Sequence, residues 1–396
     1  MTDPTDSILI HHLTPRNMLS FGPDNAGLEL KSLNLLIGPN GCGKSNLIEA
    51  ISLMRSAPKE FANVTRKGGG VSEWIWKGRP KDVASVAWAV SNPESEIPIR
   101  HVVVFRSDAQ RFSLVDERVE DAIQLPWGGE IFSYYHGLKE GQPMVAYNGG
   151  ERILSESQIG RHDSSILAQL FDPSSYPELA WLARSYEKVR IYREWSFGRN
   201  AVFREPQKAD MQNDVLEEDF SNIGLFLSRI GARFPIAKKA ILKGLQDLYQ
   251  GVTDFNVHAE GGTVQVFFTE GEFVIPATRL SDGTLRYLCL LAILCDPYPP
   301  RLICIEEPEL GLHPDILPNL ADLLKAASER TQIIVTTHSD ILVDAMTDRP
   351  ESVVVCEKHE GMTEMTRLSS EDLAEWLKKY RLGQLWIQGQ IGGTRW

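Results

Sequence analysis

The stretch Gly38-Pro39-Asn40-Gly41-Cys42-Gly43-Lys44-Ser45 decides the fold of this chain. It lies between an apolar run at residues 33–37 and an amphipathic stretch at residues 45–54, so the local order is strand, glycine-rich loop and helix. Glycines allow successive backbone N–H groups to turn toward one anion, and the N-terminus of the following helix adds a favourable dipole. The sequence therefore predicts a loop that binds the phosphates of a nucleotide.

Two side chains of this loop have predicted roles in such a site. Lys44 is expected to reach the β- and γ-phosphates, and the hydroxyl of Ser45 to bind Mg²⁺. The other candidate nucleotide-binding residues of the loop and the start of the helix are Gly38, Asn40, Gly41, Gly43 and Asn46. A glycine-rich turn could match this pattern without binding anything, but the flanking strand and helix patterns favour the phosphate loop.

A second predicted strand carries two carboxylates at its end. Residues 301–306 form a short apolar run typical of a buried parallel strand, and Glu307 and Pro308 follow it. Ligands of α/β folds bind at the carboxyl ends of such strands. We therefore expect Glu306 to bind Mg²⁺, directly or through water, and Glu307 to act as the general base that orients the attacking water.

A third strand pattern, at residues 331–337, ends at His338 and Ser339. A histidine at the end of a strand over the nucleotide can contact the γ-phosphate, so His338 is a candidate catalytic residue. An acidic pair or a single histidine carries little weight alone, because both are common in ordinary structure. Their order after the glycine-rich loop makes the combination informative.

The segment Leu280-Ser281-Asp282-Gly283-Thr284-Leu285-Arg286 places a small polar residue and a glycine at the start of a predicted helix, residues 284–294. This is a second helix N-terminus suited to binding an anion. Its LSDGT string resembles the LSGGQ signature of the ATP-binding-cassette (ABC) ATPases. Together with EEPELGLHP at residues 306–314 and TTHS at residues 336–339, it resembles the soluble SMC, RecF and OLD-like branch of these ATPases.

The resemblance implies a fold and a mechanism. The fold would be an α/β P-loop NTPase, an ABC ATPase head with a mixed central sheet, a β-rich N-terminal lobe and an inserted helical lobe. Two heads would meet head to tail around two ATP molecules with Mg²⁺, and Ser281 and Gly283 would bind the γ-phosphate held by the other head. Residues 309–313 would form the loop that crosses the dimer interface. The chain departs from the family at Glu306, where the residue before the base is usually Asp; a longer carboxylate can still hold Mg²⁺ through water.

Two contacts expected in this family are harder to place. The glutamine that links Mg²⁺ to the helical lobe is assigned to Gln169, because residues 164–169 resemble the family pattern at that point. Gln158 is the weaker alternative, and both could be ordinary loop amides. For the adenine ring, an aromatic residue near the start of the chain, such as Phe21, is the suggestion.

The motifs divide the chain into three predicted parts. Residues 1–170 would be the N-terminal ATPase lobe with the phosphate loop, residues 171–250 the helical insertion, and residues 251–396 the C-terminal ATPase lobe with the signature, the acidic strand and the histidine. Alternating patterns predict strands of the first part at residues 83–90, 99–106 and 111–115. Helical periodicity predicts the second part at residues 176–185, 222–230 and 236–249. No sustained heptad pattern predicts a long coiled-coil arm.

Composition predicts a cytoplasmic protein without a membrane span. Of 396 residues, 42% are hydrophobic and 24% charged, and the five cysteines show no CxxC spacing. No apolar run approaches the ~20 residues needed to cross a bilayer, and the acidic, polar N-terminus lacks the pattern of a signal peptide.

The net charge of −12 argues against nonspecific nucleic-acid binding by the whole surface. Two local basic groups leave DNA contact open, although such groups are more often solvated helix faces. The first group combines basic and aromatic residues, namely Arg184, Lys188, Arg190, Arg193, Arg199 and Arg204 with Tyr186, Tyr192 and Trp195. The second group is Arg233, Lys238, Lys239 and Lys243.

Two functions compete on this basis. The first is an ATP-hydrolysing switch that forms a homodimer through its nucleotide sites and acts in DNA repair or anti-phage defence, with a partner nuclease or other effector. A partner is expected because the sequence carries no nuclease signature of its own. The alternative is the nucleotide-binding subunit of an ABC membrane transporter, which the LSDGT variant and the absence of a membrane-docking stretch disfavour. A P-loop kinase would leave the LSDGT segment unexplained.

Overall fold

The computed structural model describes residues 8–393 except 79–82, 123–130, 138–142, 148–149, 155–162, 171, 197 and 199–200. The chain divides into two compact units. One, here called the phosphate-loop unit, comprises Ile8–Val189, Val354–Leu368 and the residues from Ile391 onward. The other, here called the signature unit, comprises Arg190–Val353 and Ser369–Gln390.

The strands, in chain order, are β1 (Ile10–Arg16), β2 (Leu28–Glu29), β3 (Leu33–Ile37), β4 (Val83–Val90), β5 (Ile99–Asp108), β6 (Arg111–Asp121), β7 (Ser133–His136), β8 (Met144–Tyr147), β9 (Gly150–Ile153), β10 (Arg190–Tyr192), β11 (Gln207–Lys208), β12 (Val252–Glu260), β13 (Thr263–Glu270), β14 (Phe273–Pro276), β15 (Leu302–Glu306), β16 (Gln332–Thr336), β17 (Val353–His359) and β18 (Met362–Arg367). The α-helices are α1 (Lys44–Ser56), α2 (Phe61–Lys67), α3 (Ile166–Gln169), α4 (Pro177–Glu187), α5 (Ile223–Arg233), α6 (Pro235–Leu248), α7 (Asp282–Leu294), α8 (Leu317–Ala327), α9 (Asp340–Asp344), α10 (Ser370–Leu377) and α11 (Leu382–Ile387).

The phosphate-loop unit contains an antiparallel sheet with the strand order β2-β1-β4-β5-β6-β7-β8-β9. Side chains of β4 alternate between buried and half-buried along its whole length, the pattern of a strand with one face on the core. Trp88 of β4 pairs with His101 of β5, and both side chains are fully buried. The β-rich section that the alternating sequence patterns predicted is therefore confirmed.

The glycine-rich loop of this unit follows a strand with no exposed residue. Every residue of β3 is buried, as expected for a continuous apolar run in the interior of a sheet. The adjacent strands follow in the order β3-β17-β18, and β17 pairs antiparallel with β18. After β3 and the glycine-rich loop, the chain forms α1. The apolar residues of this helix are buried from Leu47 to Met54.

The signature unit contains the parallel strands β10, β15 and β16, in that order. The register places Cys304 of β15 opposite Ile334 of β16, and Glu306 opposite Thr336. Because β15 and β16 are parallel and in register, both carry their carboxyl ends to the same edge, and the residues that follow them emerge side by side.

The same unit contains the helices α5 to α11 and a second small sheet. α7 is buried on all sides from Leu285 to Leu294, which marks it as a central helix rather than a surface one. The second sheet has the order β11-β13-β12, with β14 also paired to β13.

The α/β fold with both parallel and antiparallel strands is confirmed by this arrangement. The three-part division of the chain stays a prediction. Within residues 171–250, the predicted helices correspond to α4, α5 and α6, but the segment also holds the short strands β10 and β11.

Close packing between α6 and α7 gives a test of the signature unit. A Cβ at Gly244 of α6 would lie 2.4 Å from Cδ2 of Leu291 in α7, which is fully buried. We expect Gly244→Ala to lower the free energy of unfolding, because overpacking of about 1–3 kcal/mol exceeds the helix gain of about 0.5–1 kcal/mol. Urea denaturation measures the change.

Gly231→Ala is the matched control, because Gly231 also lies in a helix, α5, and its added Cβ would meet only Cδ of Lys238 at 3.8 Å. This variant should gain about 0.5–1 kcal/mol. Equal gains for the two variants would contradict the packing of α6 on α7.

Candidate functional site

The glycine-rich loop is curled by residues with positive φ. Gly38, Gly41 and Gly43 have φ values of 145°, 78° and 113°. Gly43 is also the N-cap of α1. A side chain would strain all three positions, and a loop curled in this way is of the kind that presents backbone N–H groups to an anion.

A second reason for glycine at position 43 is lack of space. An added Cβ would lie 2.1 Å from the Thr363 hydroxyl oxygen and 2.8 Å from that of Ser20. Thr363 Oγ1 in turn lies 2.6 Å from both the Ser20 hydroxyl and the Cys42 carbonyl oxygen. Asn46 completes this support by donating to Ser20 Oγ at 2.6 Å. Asn46 therefore braces the loop, and no sequence pattern pointed to Ser20 or Thr363.

Lys44 is buried, and its ammonium group is held by the loop itself. Nζ donates to the carbonyl oxygens of Gly38 at 2.8 Å and Pro39 at 3.1 Å, and it lies 3.9 Å from the Cys42 sulfur. A side-chain hydrogen bond from Cys356 lowers the pKa of Cys42 to about 6, burial opposes this, and the Lys44 charge lowers it further. The ammonium group is therefore surrounded by hydrogen-bond acceptors, and the oxygen atoms of a bound phosphate could replace them.

The remaining loop candidates differ in accessibility. Asn40, Gly41 and Ser45 are exposed, so they are available to a ligand at the surface of the loop. Phe21, suggested for the adenine contact, is 1% exposed and belongs to the core. This burial counts against the suggestion, because a packed ring offers little surface to a base.

Gln169 lies at the end of the short helix α3, and its amide is engaged locally. Nε2 donates to the carbonyl oxygens of Ser164 at 3.1 Å and Ser165 at 3.4 Å. The alternative, Gln158, lies outside the described residues. The role of Gln169 at a metal ion stays a prediction.

The N-terminus of α3 is held by a buried carboxylate. Glu117 accepts hydrogen bonds from the Ser165 hydroxyl and, at 2.7 Å, from the Ile166 amide. Its Oε1 also lies 2.9 Å from Nε2 of His101, whose other ring nitrogen lies 3.2 Å from the Tyr186 hydroxyl. A buried polar network whose members are all hydrogen-bonded is rigid. The hydrogen bonds of Glu117 therefore hold the first residues of α3 in place.

In the signature unit, Glu306 and Glu307 end β15 as predicted, but in different conformations. Glu306 ends the strand, and its Oε1 lies 3.3 Å from Nε of Arg193. Glu307 has a φ of 47°, in the left-handed region that non-glycine residues seldom adopt. Its amide donates to the Thr336 carbonyl oxygen at 3.0 Å. The backbone therefore turns sharply at the predicted general base.

His338 and Glu307 meet at this edge. Nε2 of His338 lies 3.7 Å from Oε1 of Glu307, and both side chains are about one-third exposed. Glu309 holds the backbone that leads from β16 to His338. Its Oε1 accepts hydrogen bonds from the His338 amide at 2.7 Å and from the Thr337 hydroxyl at 2.8 Å. The structure thus brings together the predicted base and the predicted histidine, and it adds a half-buried carboxylate that positions the histidine.

The signature segment forms the start of α7. Ser281 is the N-cap, and its hydroxyl accepts from the Thr284 amide at 3.1 Å. A Cβ at Gly283 would lie 2.9 Å from the carbonyl oxygen of Gly311. Close packing therefore favours glycine at position 283. Contact of either residue with a γ-phosphate stays a prediction.

Three residues of the first basic group belong to the site rather than to a free surface. Arg193 pairs with Glu306, and Trp195 Nε1 donates to the Glu306 carbonyl oxygen at 2.8 Å. Arg204 donates to the carbonyl oxygens of Thr278 and Leu280 and to the Asp282 carboxylate beside the signature. DNA contact by these arginines therefore loses support. Arg199 lies outside the described residues.

A mixed α/β fold with a glycine-rich loop, an acidic parallel strand and a capped signature helix is a fold of the ABC and SMC head type. The chain belongs to the family described as "AAA domain, putative AbiEii toxin, Type IV TA system", whose profile matches residues 33–344. No curated protein sequence matches the chain.

Two solved Smc head structures are similar in fold. The Smc head bound to the C-winged helix domain of ScpA has a TM-score of 0.58 at 16% identity, covering 92% of this chain and 99% of that chain. The Smc head with an extended coiled coil bound to the C-terminal domain of ScpA, derived from Pyrococcus furiosus, has a TM-score of 0.57 at 15% identity, covering 94% and 99%. At this identity the likeness shows the fold alone.

The donor groups fit the ligands of such an ATPase. The curled loop, the start of α1 and the buried Lys44 offer N–H donors and a cation suited to phosphates. The oxygen donors Ser45 and Glu306 are of the kind that Mg²⁺ prefers. Among the described residues, no helix is long and apolar enough to span a membrane.

Glu309 gives a pH-dependent test of this site. Burial raises its pKa, although hydrogen bonds from His338 and Thr337 oppose the shift. A raised carboxyl pKa contributes stability that is fully present below the unfolded value and is lost as pH rises through the folded value. Glu309→Gln keeps an acceptor oxygen but carries no charge. We expect its free energy of unfolding to increase relative to that of the wild type as pH rises above about 4.3, the usual value for glutamate, because only the wild type then has to bury a charge.

Urea denaturation at a series of pH values, with the exposed Glu329→Gln as control, measures the difference. A difference that stays constant or reverses with pH would show that burial does not govern the Glu309 carboxylate.

Proposed function

We propose that this chain binds ATP with Mg²⁺ through the phosphate loop and hydrolyses it with Glu307 as general base. The observation that carries the proposal is the pair at the end of β15 and β16, where His338 Nε2 lies 3.7 Å from Glu307 Oε1. A carboxylate at this position can accept a proton from the attacking water. The imidazole beside it can donate to a γ-phosphate oxygen.

Each part has a role that its chemistry supports. Lys44 and the loop N–H groups would bind the phosphates, and Ser45 and Glu306 would hold the ion. The bound Mg²⁺ would neutralise charge on the β- and γ-phosphates. Glu307 would orient water, and its turned backbone fixes where its carboxylate points. Gln169 would reach the ion only after leaving the carbonyl oxygens of Ser164 and Ser165.

The proposal includes an ATP-dependent homodimer in which Ser281 and Gly283 of one head bind the γ-phosphate held by the other. The capped start of α7 supports this assignment, because the N-terminus of a helix of this length favours an anion. Closing by ATP and reopening by hydrolysis would make the nucleotide a switch.

The switch would act in the cytoplasm on a partner nuclease or other effector, in DNA repair or anti-phage defence. The family description names a toxin of a toxin–antitoxin system, which favours a defence role with a partner. None of the five cysteines, all of which are described, forms a disulfide, which suits a reducing compartment. The transporter alternative has no specific observation in its favour.

ATP turnover tests the chemistry. The wild type should release phosphate from ATP with Mg²⁺, and Glu307→Gln should reduce kcat by about 100-fold or more with ATP binding retained, since a positioned base contributes about 10²–10⁴-fold. Lys44→Ala should lose nucleotide binding itself. The exposed Glu371→Gln serves as the control for loss of one carboxylate. No turnover by the wild type, or full turnover by Glu307→Gln, would refute the assignment.

The dimer is tested by light scattering of Glu307→Gln with and without Mg-ATP. Trapped ATP should double the mass, and adding Ser281→Arg should prevent the change, because a bulky cation blocks the start of α7. Ser370→Arg, at the exposed start of α10, is the matched control. A mass that ATP does not alter would remove the main support of the switch.

A further inference from the structure

The strained backbone of Glu307 is held on both sides by hydrogen bonds. A φ of 47° in a non-glycine residue is strained and persists only where its surroundings impose it. On one side the Glu307 amide donates to the Thr336 carbonyl oxygen at 3.0 Å. On the other, its carbonyl oxygen accepts from Nη2 of Arg286 at 2.9 Å.

Arg286 lies on the signature helix, five positions after the N-cap Ser281, and is nearly fully buried. Burial lowers the pKa of Arg286 to about 10, while the charges of Glu309 and Glu307 act to raise it. The side chain therefore stays a cation at neutral pH. Few positions tolerate a buried arginine unless its charge and donors are used.

The guanidinium group is oriented by an aromatic ring. Its central carbon lies 4.5 Å from the centroid of the Trp195 ring, within the range of a cation–π contact. The same tryptophan donates from Nε1 to the Glu306 carbonyl oxygen at 2.8 Å. Two stacked side chains, here called the Trp195–Arg286 pair, therefore hold two consecutive carbonyl groups at the end of β15.

We propose that Arg286 is a positioning residue that couples the signature helix to the general base Glu307, an inference that rests on the proposed ATPase function. Ser281 and Arg286 belong to one helix, so a shift at the γ-phosphate-binding start of α7 also shifts the donor bound to the Glu307 carbonyl oxygen. Engagement of the signature thereby sets the backbone turn that aims the Glu307 carboxylate. Trp195 keeps the guanidinium plane in the required orientation.

A purely structural role for Arg286 makes different predictions. Arg286 as a buried counter-charge for Glu307 and Glu309 would affect folding and nucleotide binding together. Arg286 as a coupling residue would affect turnover while ATP binding and ATP-driven dimerisation persist. Steady-state kinetics, nucleotide affinity and mass must therefore be measured on the same variants.

The test compares Arg286→Met, Arg286→Lys and Trp195→Phe with the wild type. Arg286→Met removes the donors and the charge, and should lower kcat by about 10–100-fold, as a misplaced catalytic group does, with the KM for ATP changed less than about threefold. Arg286→Lys should recover part of kcat. Trp195→Phe keeps an aromatic ring but loses the Nε1 donor. Its kcat should lie between those of the wild type and Arg286→Met. Arg66→Met, at an exposed arginine of α2, is the matched control.

Combined with Glu307→Gln, Arg286→Met should still dimerise with Mg-ATP, since the signature itself is intact. Wild-type kcat in Arg286→Met, or parallel loss of kcat, ATP affinity and melting temperature, would overturn the coupling role. If Arg286→Met fails to fold, unchanged kcat in both Arg286→Lys and Trp195→Phe would overturn it equally. Absence of turnover in the wild type would instead refute the proposed function, and the coupling with it.

Discussion

The parallel register of β15 and β16 is the constraint that brings Glu307 and His338 to one edge of the signature unit. Glu306 lies opposite Thr336, so the next residues of both strands leave the sheet together. Glu307 can then bond the Thr336 carbonyl oxygen through its amide while His338 reaches its carboxylate. A slip of one residue would separate these groups and reverse the faces of the strand.

Much of this arrangement could be predicted because it follows from local patterns. Continuous apolar runs predicted β3, β15 and β16 nearly to the residue, and the LSDGT segment predicted the start of α7 to within two residues. Parallel strands then required Glu307 and His338 to share one edge. The glycines of the phosphate loop were predictable because their positive φ values reflect a local conformational need.

The supporting contacts could not be predicted, because they join residues that are distant in sequence. Thr363 supports the loop at Cys42 from more than three hundred positions away. Trp195 and Arg193 belong to no sequence motif, and their basic and aromatic neighbours suggested a DNA-binding surface. In the structure both residues contact Glu306. Arg286 lies inside the signature segment, but the sequence does not show that it donates to the Glu307 carbonyl oxygen. Such contacts between distant buried polar groups are seen only in the folded unit.

The choice of arginine at position 286 follows from these partners. The carboxylates of Glu307 and Glu309 both lie close enough to the Arg286 guanidinium group to raise its pKa. Burial in turn raises the pKa of Glu309. A lysine could supply the charge, but its ammonium group is a compact, strongly hydrated point. A guanidinium group is planar, so it can stack on Trp195 and still direct an N–H at the Glu307 carbonyl oxygen. The balance of charge around Arg286 and the orientation of the proposed base, Glu307, therefore depend on the same side chain.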